Sequence, residues 1–200
     1  NCLSLTSVVI PASATEMGDR PFSGDWALKT VEIKGNVPRL SNYSFHECDA
    51  LQEVLITGSV GTIGDDAFKE LDSLDRVQIA SGLKTIGKRA FWLCDNLTTV
   101  SLPDGVTSIG EEAFKDCGSL TTINLPNSIT TIGANAFNGT KLTGPLNIPS
   151  SLVSLGDNAF HGCSGLTGTL VFPAAMENIS TNVFAGCSGI EEIILPRGVL

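Results

Sequence analysis

Basic side chains are scarce in this chain. It carries 12 Lys and Arg against 21 Asp and Glu, a net charge of −9. Phosphate contacts need clustered cations, so this balance argues against a nucleic-acid partner and against peripheral binding to anionic lipid. Charge of either sign is thin, 16% of residues where about 25% is usual. Hydrophobic residues make up 42% of the chain, enough for a large core. Yet no run of ~18 apolar residues occurs, which argues against a membrane-spanning helix. No signal peptide or lipidation motif opens the chain, and no glycine-rich phosphate loop is present. Histidine occurs only twice, at His46 and His161.

What is abundant is periodicity. Phe22, Phe45, Phe68, Phe91, Phe114, Phe137, Phe160 and Phe184 recur at intervals of 23 residues, with one interval of 24. Phe172 alone stands outside that column. A period of this length marks a solenoid of stacked turns.

One repeat, Leu97 to Cys117, shows how a turn is built. Val100 and Leu102 alternate with polar Thr99 and Ser101, the period-2 pattern of a strand with one buried face. Pro103 ends the strand because it cannot donate to a ladder, and Gly105 permits a turn. Val106 and Ile109 anchor a second inward-facing side, and Gly110 lets the chain change direction. Glu111–Phe114 suits one short helical or 3-10 turn. Four apolar columns hold in phase along the chain, for example Val31, Val54, Val77 and Val100 in one and Ile63, Ile86, Ile109 and Ile132 in another. No single turn can bury these side chains, so stacking makes one continuous core.

Two turns break the count. Leu142 to Pro149 and Leu166 to Pro173 are each one residue longer than Leu120 to Pro126. The shared Leu-Thr-Gly segments place the extra residue near Gly144 and Gly168, which predicts a bulge before each strand.

The repeat reads L-x-x-I-x-L-P-x-x-V-x-x-I-G-x-x-A-F-x-x-C-x-x-L. Its Ile-Gly-x-x-Ala-Phe centre stands in Ile63–Phe68, Ile86–Phe91, Ile109–Phe114 and Ile132–Phe137, and in Leu155–Phe160 with Leu for Ile. The first two copies depart from it, with Pro21 and Ser44 in place of Ala. The pattern resembles the BspA-like class of leucine-rich repeat over essentially the whole chain. The resemblance implies a right-handed α/β-type repeat solenoid, with a parallel β-sheet and short helical or 3-10 turns. It also implies an extracellular or cell-surface location, chiefly in anaerobic bacteria and some protists, and adhesion or host-component binding. Residues 1–200 read as a single array of about eight to nine repeats, truncated at both ends, since Asn1 and Leu200 fall within repeats.

The residues that could carry chemistry are mostly absorbed by the period. Cys2, Cys48, Cys94, Cys117, Cys163 and Cys187 share one column with Asp25, Leu71 and Thr140, which predicts a small buried site. Adjacent-turn pairs lie ~5 Å apart, but parallel side chains rarely meet a disulfide's dihedral requirement, and a zinc site needs about four ligands. His46 and His161 stand five turns apart and cannot share a site. Trp92 falls in the largely polar column that follows the Phe, so it is a candidate contact residue, while Trp26 is expected to pack across its own turn. The outward strand positions offer the other surface: Arg76, Thr99 and Thr122 in one row, and Gln78, Ser101, Asn124 and Asn147 in the next. Such rows suit polar contacts to a protein or glycan, a host-derived one included. The reading is a non-catalytic binding or adhesion module without cofactor or metal. The alternatives are a structural spacer that positions another domain, or part of an enzyme.

Overall fold

The structure, a computed structural model, describes residues 4–197. Cys2 and Val199 of the repeat columns lie outside the described residues. Thirteen strands follow one another without a helix among the described residues. They are β1 (Ser7–Ile10), β2 (Thr30–Ile33), β3 (Asn36–Leu40), β4 (Glu53–Ile63), β5 (Arg76–Ser81), β6 (Thr85–Ile86) and β7 (Thr99–Val100). The rest are β8 (Ser108–Ile109), β9 (Thr131–Ile132), β10 (Thr143–Pro145), β11 (Ser154–Leu155), β12 (Gly165–Val171) and β13 (Gly189–Ile194).

All pairings are parallel, and they form two ladders along the stack. The first joins β1, β2, the start of β4, β5 and β7, with Val8 on Val31, Val31 on Val54, Val54 on Val77 and Val77 on Val100. The second joins β3, the end of β4, β6, β8, β9 and β11, with Ile63 on Ile86, Ile86 on Ile109 and Ile109 on Ile132. Because the hydrophobic pattern repeats every turn, like sits on like, and each column fixes the register of the next turn. The eleven-residue β4 belongs to both ladders and ties them together.

The expected short helical or 3-10 turns do not form. In their place the chain passes through two left-handed residues per turn: Glu112 at φ 56° and Asp116 at φ 59° in the turn that carries Phe114, and Asn158 at φ 56° and Gly162 at φ 77° in a later one. A left-handed residue interrupts any helical run. The amides that a helix would use internally are spent between turns instead. Arg89, Phe91 and Leu93 donate to the carbonyls of Glu111, Ala113 and Lys115 at 2.9, 2.8 and 3.0 Å.

The Phe column is the spine of the core. Phe45, Phe68, Phe91, Phe114, Phe137 and Phe160 are fully buried. From Phe22 to Phe184 neighbouring rings stack with centroids 4.9–5.5 Å apart and planes within 13° of parallel. That spacing lies in the range of offset aromatic stacking. The in-phase glycines serve close approach rather than a change of direction. A Cβ on Gly110 would stand 2.6 Å from the carbonyl carbon of Gly87, and one on Gly133 2.5 Å from the amide of Glu111.

Of the two expected bulges, only the one at Gly168 shows a register slip, and the unmatched residue there is Glu191 of β13; β10 pairs with β12 at Gly144 without a shift. The register of β12 on β13 slips between Gly168 and Thr169, and Gly168 has φ 78°. Gly144 adopts φ 76° as well, and its strand β10 opens a separate three-stranded sheet with β12 and β13. Between the two sheets the first ladder is interrupted. Residues 120–126 form no strand, so the expected row of nine stacked strands has a gap at its sixth turn.

Candidate binding surface

The gap in the first ladder lies on the strand face. In the flanking turns the entry rung is regular: Asp75 N–H donates to Gln52 O at 3.0 Å, Thr98 N–H to Asp75 O at 2.9 Å, and Thr143 N–H to Thr121 O at 2.9 Å. No backbone bond joins 98–102 to 121–125. The core beneath is correspondingly less covered. Val54 and Val77 are fully buried, whereas Val100 and Leu125 are 8% exposed and Ile123 is half-buried. The Phe rings directly behind stay in register, 5.3 Å apart at Phe114 and Phe137, so the parting is confined to the strand side.

A groove of about 540 Å³ occupies this place. Its walls are Arg76, Gln78, Thr99, Ser101, Thr122 and Asn124, and its floor is Val77, Val100 and Ile123. These walls are the outward residues that the alternation singled out. Gln78 and Ser101 also border a neighbouring hollow of about 300 Å³ that extends over Leu55, Ile56 and Ile79. Arg76 is the groove's only charged side chain, and its Nε stands 3.3 Å from Glu53. Asn147 is exposed one turn further on and does not line the groove.

Trp92 lies elsewhere, on the flank that follows the Phe spine. It is half-buried under cations from its own and both adjacent turns: Lys69 Nζ at 4.8 Å, Lys115 Nζ at 5.8 Å and the Arg89 guanidinium at 5.9 Å from the ring centroid. Each cation is held by an acid in turn. Arg89 pairs with Asp66, 3.1 Å between Nε and Oδ1, and the Asp66 side chain is 3% exposed. Lys69 stands 3.4 Å from Glu70, and Lys115 3.6 Å from Glu112. The indole thus clamps three turns by cation–π attraction. Trp26, expected to pack across its turn, is instead the exposed tryptophan, at 59%. His46 packs edge-on against Tyr43 with centroids 5.7 Å apart, and His161 is exposed.

The described cysteines are free and buried. Each thiol donates to the carbonyl of the Phe one turn back: Cys48 to Phe22 at 3.0 Å, Cys94 to Phe68 at 2.9 Å, Cys117 to Phe91 at 3.0 Å, Cys163 to Phe137 at 3.3 Å and Cys187 to Phe160 at 3.1 Å. Burial pushes Cys48, Cys94 and Cys163 up to about 12, which holds them as inert thiols. Thr140 takes the same place with a hydroxyl, donating to Phe137 O at 2.8 Å. Among the described residues no cluster of His, Cys, Asp and Glu is arranged to hold a metal ion, and no helix is long and apolar enough to cross a membrane.

Alternation along the strands indicated the groove's walls, but nothing in it indicated the parted ladder or the thinly covered floor. The segment Thr121–Leu125 reads like any other strand. The Trp92 clamp did have a signal, since the column that holds Trp92 has Lys on either side of it.

Among solved structures, a leucine-rich cell surface protein of Faecalibacterium prausnitzii A2-165 superimposes with a TM-score of 0.74 at 26% identity. The match covers 94% of this chain, which spans 65% of that one. A leucine-rich repeat protein of T. pallidum matches with a TM-score of 0.65 at 29% identity, over 84% of this chain and 74% of the other. One from Bacteroides ovatus shares the fold, with a TM-score of 0.60 at 21% identity over 97% and 70%. No curated protein sequence matches the chain. The sequence profile described as BspA type leucine-rich repeat region matches residues 1–98 and 84–200, in six copies. Repeat spacing, stacked Phe spine and profile agree: the chain belongs to the BspA-type leucine-rich repeat family.

Proposed function

We propose that this chain is a non-catalytic binding module of a secreted or cell-surface protein, and that its strand face holds a protein or glycan ligand. The observation that carries this reading is the convergence of six outward strand residues on one groove, with an apolar floor that the flanking turns keep covered. Concave, largely apolar sites with a few placed polar groups are where ligands bind. The cell-surface relative from Faecalibacterium supports the location. Replacing Thr99, Ser101, Thr122 and Asn124 together by Ala should abolish capture on a glycan and host-protein array while leaving the unfolding free energy within about 1 kcal/mol of the parent. Undiminished capture by the folded variant would remove the strand face from contention.

A further inference from the structure

We infer that the groove takes an extended polypeptide segment, apolar at its centre and basic at its flanks, and reads the segment's backbone as well as its side chains. The inference rests on the strand-face reading above and narrows its ligand.

Three features of the groove favour this occupant. The first is backbone chemistry. The amides of Thr122 and Asn124 bond to no neighbouring turn, and neither does the Val100 carbonyl that faces them, whereas the Thr99 carbonyl points the other way, to β5. They leave two donors and an acceptor open at the mouth of the groove rather than within a sheet. An extended chain offers alternating acceptors and donors along its length, and pairing with open strand backbone is a recurrent mode of peptide capture. The second is the floor. Half-buried Ile123 and the edge of Val100 present apolar surface between polar walls, over the fully buried Val77, a seat for one aliphatic side chain. The neighbouring hollow over Leu55, Ile56 and Ile79 continues that seat. No aromatic side chain lines either hollow, so a sugar ring would find no flat face to stack on. The third is charge. Arg76 is held by Glu53, leaving the groove near neutral, whereas Asp75 adjoins its lining along the chain and the whole molecule carries −9. A neutral centre with Lys or Arg on either side complements this surface and gains encounter rate from it.

The test begins with a phage-displayed random-peptide library panned against the intact protein, with a glycan array run in parallel. Enriched peptides should share an aliphatic centre and basic flanks. Their affinity should fall about tenfold or more in the Thr99, Ser101, Thr122, Asn124 quadruple Ala variant. N-methylation of a central peptide amide should weaken binding by about five- to tenfold. Bound peptide should also slow hydrogen exchange at Thr122–Asn124. If the quadruple variant loses the peptide but N-methylation changes nothing, the strand-face reading stands and backbone recognition falls. If glycans bind in a groove-dependent way and peptides do not, the polypeptide occupant is wrong. If peptides bind the quadruple variant as well as the parent, both readings fall together.

Discussion

At the scale of single residues, the fold rests on positions where only one geometry is tolerated. Phe114 sits between two stacked rings with no exposure, so Phe114→Ala opens a cavity that neighbouring turns cannot close. It should cost about 3–5 kcal/mol, read from urea unfolding at constant m-value. The left-handed positions make an opposite-sign pair. Glu70 holds φ 59° on the exposed surface, where a later turn has Gly162 at φ 77° with open space around its missing Cβ. Glu70→Gly should stabilise by about 0.5–1 kcal/mol, and Gly162→Glu should destabilise by about 1–2. A loss of stability in both would show that the exposed ion pair of Glu70 with Lys69 outweighs backbone strain. The buried thiols set the alkaline limit. Cys94 is pushed up from the ordinary 9.0 to about 12 by burial. In the unfolded chain the thiol ionises near its ordinary value, so above pH ~9 the unfolded state binds fewer protons and stability declines until the folded value is passed. Titrating the unfolding midpoint from pH 8 to 11 should show this fall, and Cys94→Ala should reduce it by one thiol's share, the other buried cysteines keeping the rest.

At the scale of elements, strand periodicity was the legible part. Alternation at Thr99–Leu102, the proline stops and the in-phase Ile column dictated parallel pairing, while the longer turn indicated an irregularity at Gly168 but not that Glu191 would be the unmatched residue. The turns were not legible. Glu111 and Glu112 look like a helix start by composition, but inter-turn bonds from Glu112 to Ala134 and from Phe114 to Ala136, both 2.8 Å, take the amides a helix would need. That competition is tertiary, and single-turn propensity carries no trace of it. The same holds for the strand face. Its walls follow from alternation, but the parted rung between Thr98 and Thr121 depends on how whole turns settle on one another. The two ladders should therefore differ in exchange. Amides of Ile123 and Asn124 should exchange far faster than those of Gly110 and Gly133, which bond to Ile86 and Ile109 at 2.8 Å. Equal protection in both sets would mean that the first ladder is closed in solution.

At the scale of the whole molecule, contacts run almost entirely between adjacent turns, so stability is close to a sum of turn and interface terms. A substitution such as Gly110→Ala, which drives a Cβ to 2.6 Å from Gly87, should therefore be felt at the interfaces around its own turn and leave distant turns folded. Exchange measured turn by turn would reveal that locality, and a uniform loss of protection along the chain would contradict it.

The stacked Phe spine and the single interrupted ladder also have a mechanical meaning. Pulled by its ends, such a stack behaves as a spool whose windings detach one at a time. Each released winding of 23 residues adds about 75–80 Å of slack. Where both ladders and the ring column hold, three fastenings must yield together. Between the turns of Phe91–Leu102 and Phe114–Leu125 the first ladder is missing, although turn-side bonds such as Phe91 to Ala113 persist there as elsewhere. Under tension the groove is one weak joint, alongside the windings beyond β11 that lack the second ladder, and a ligand seated in the groove would act as a rivet.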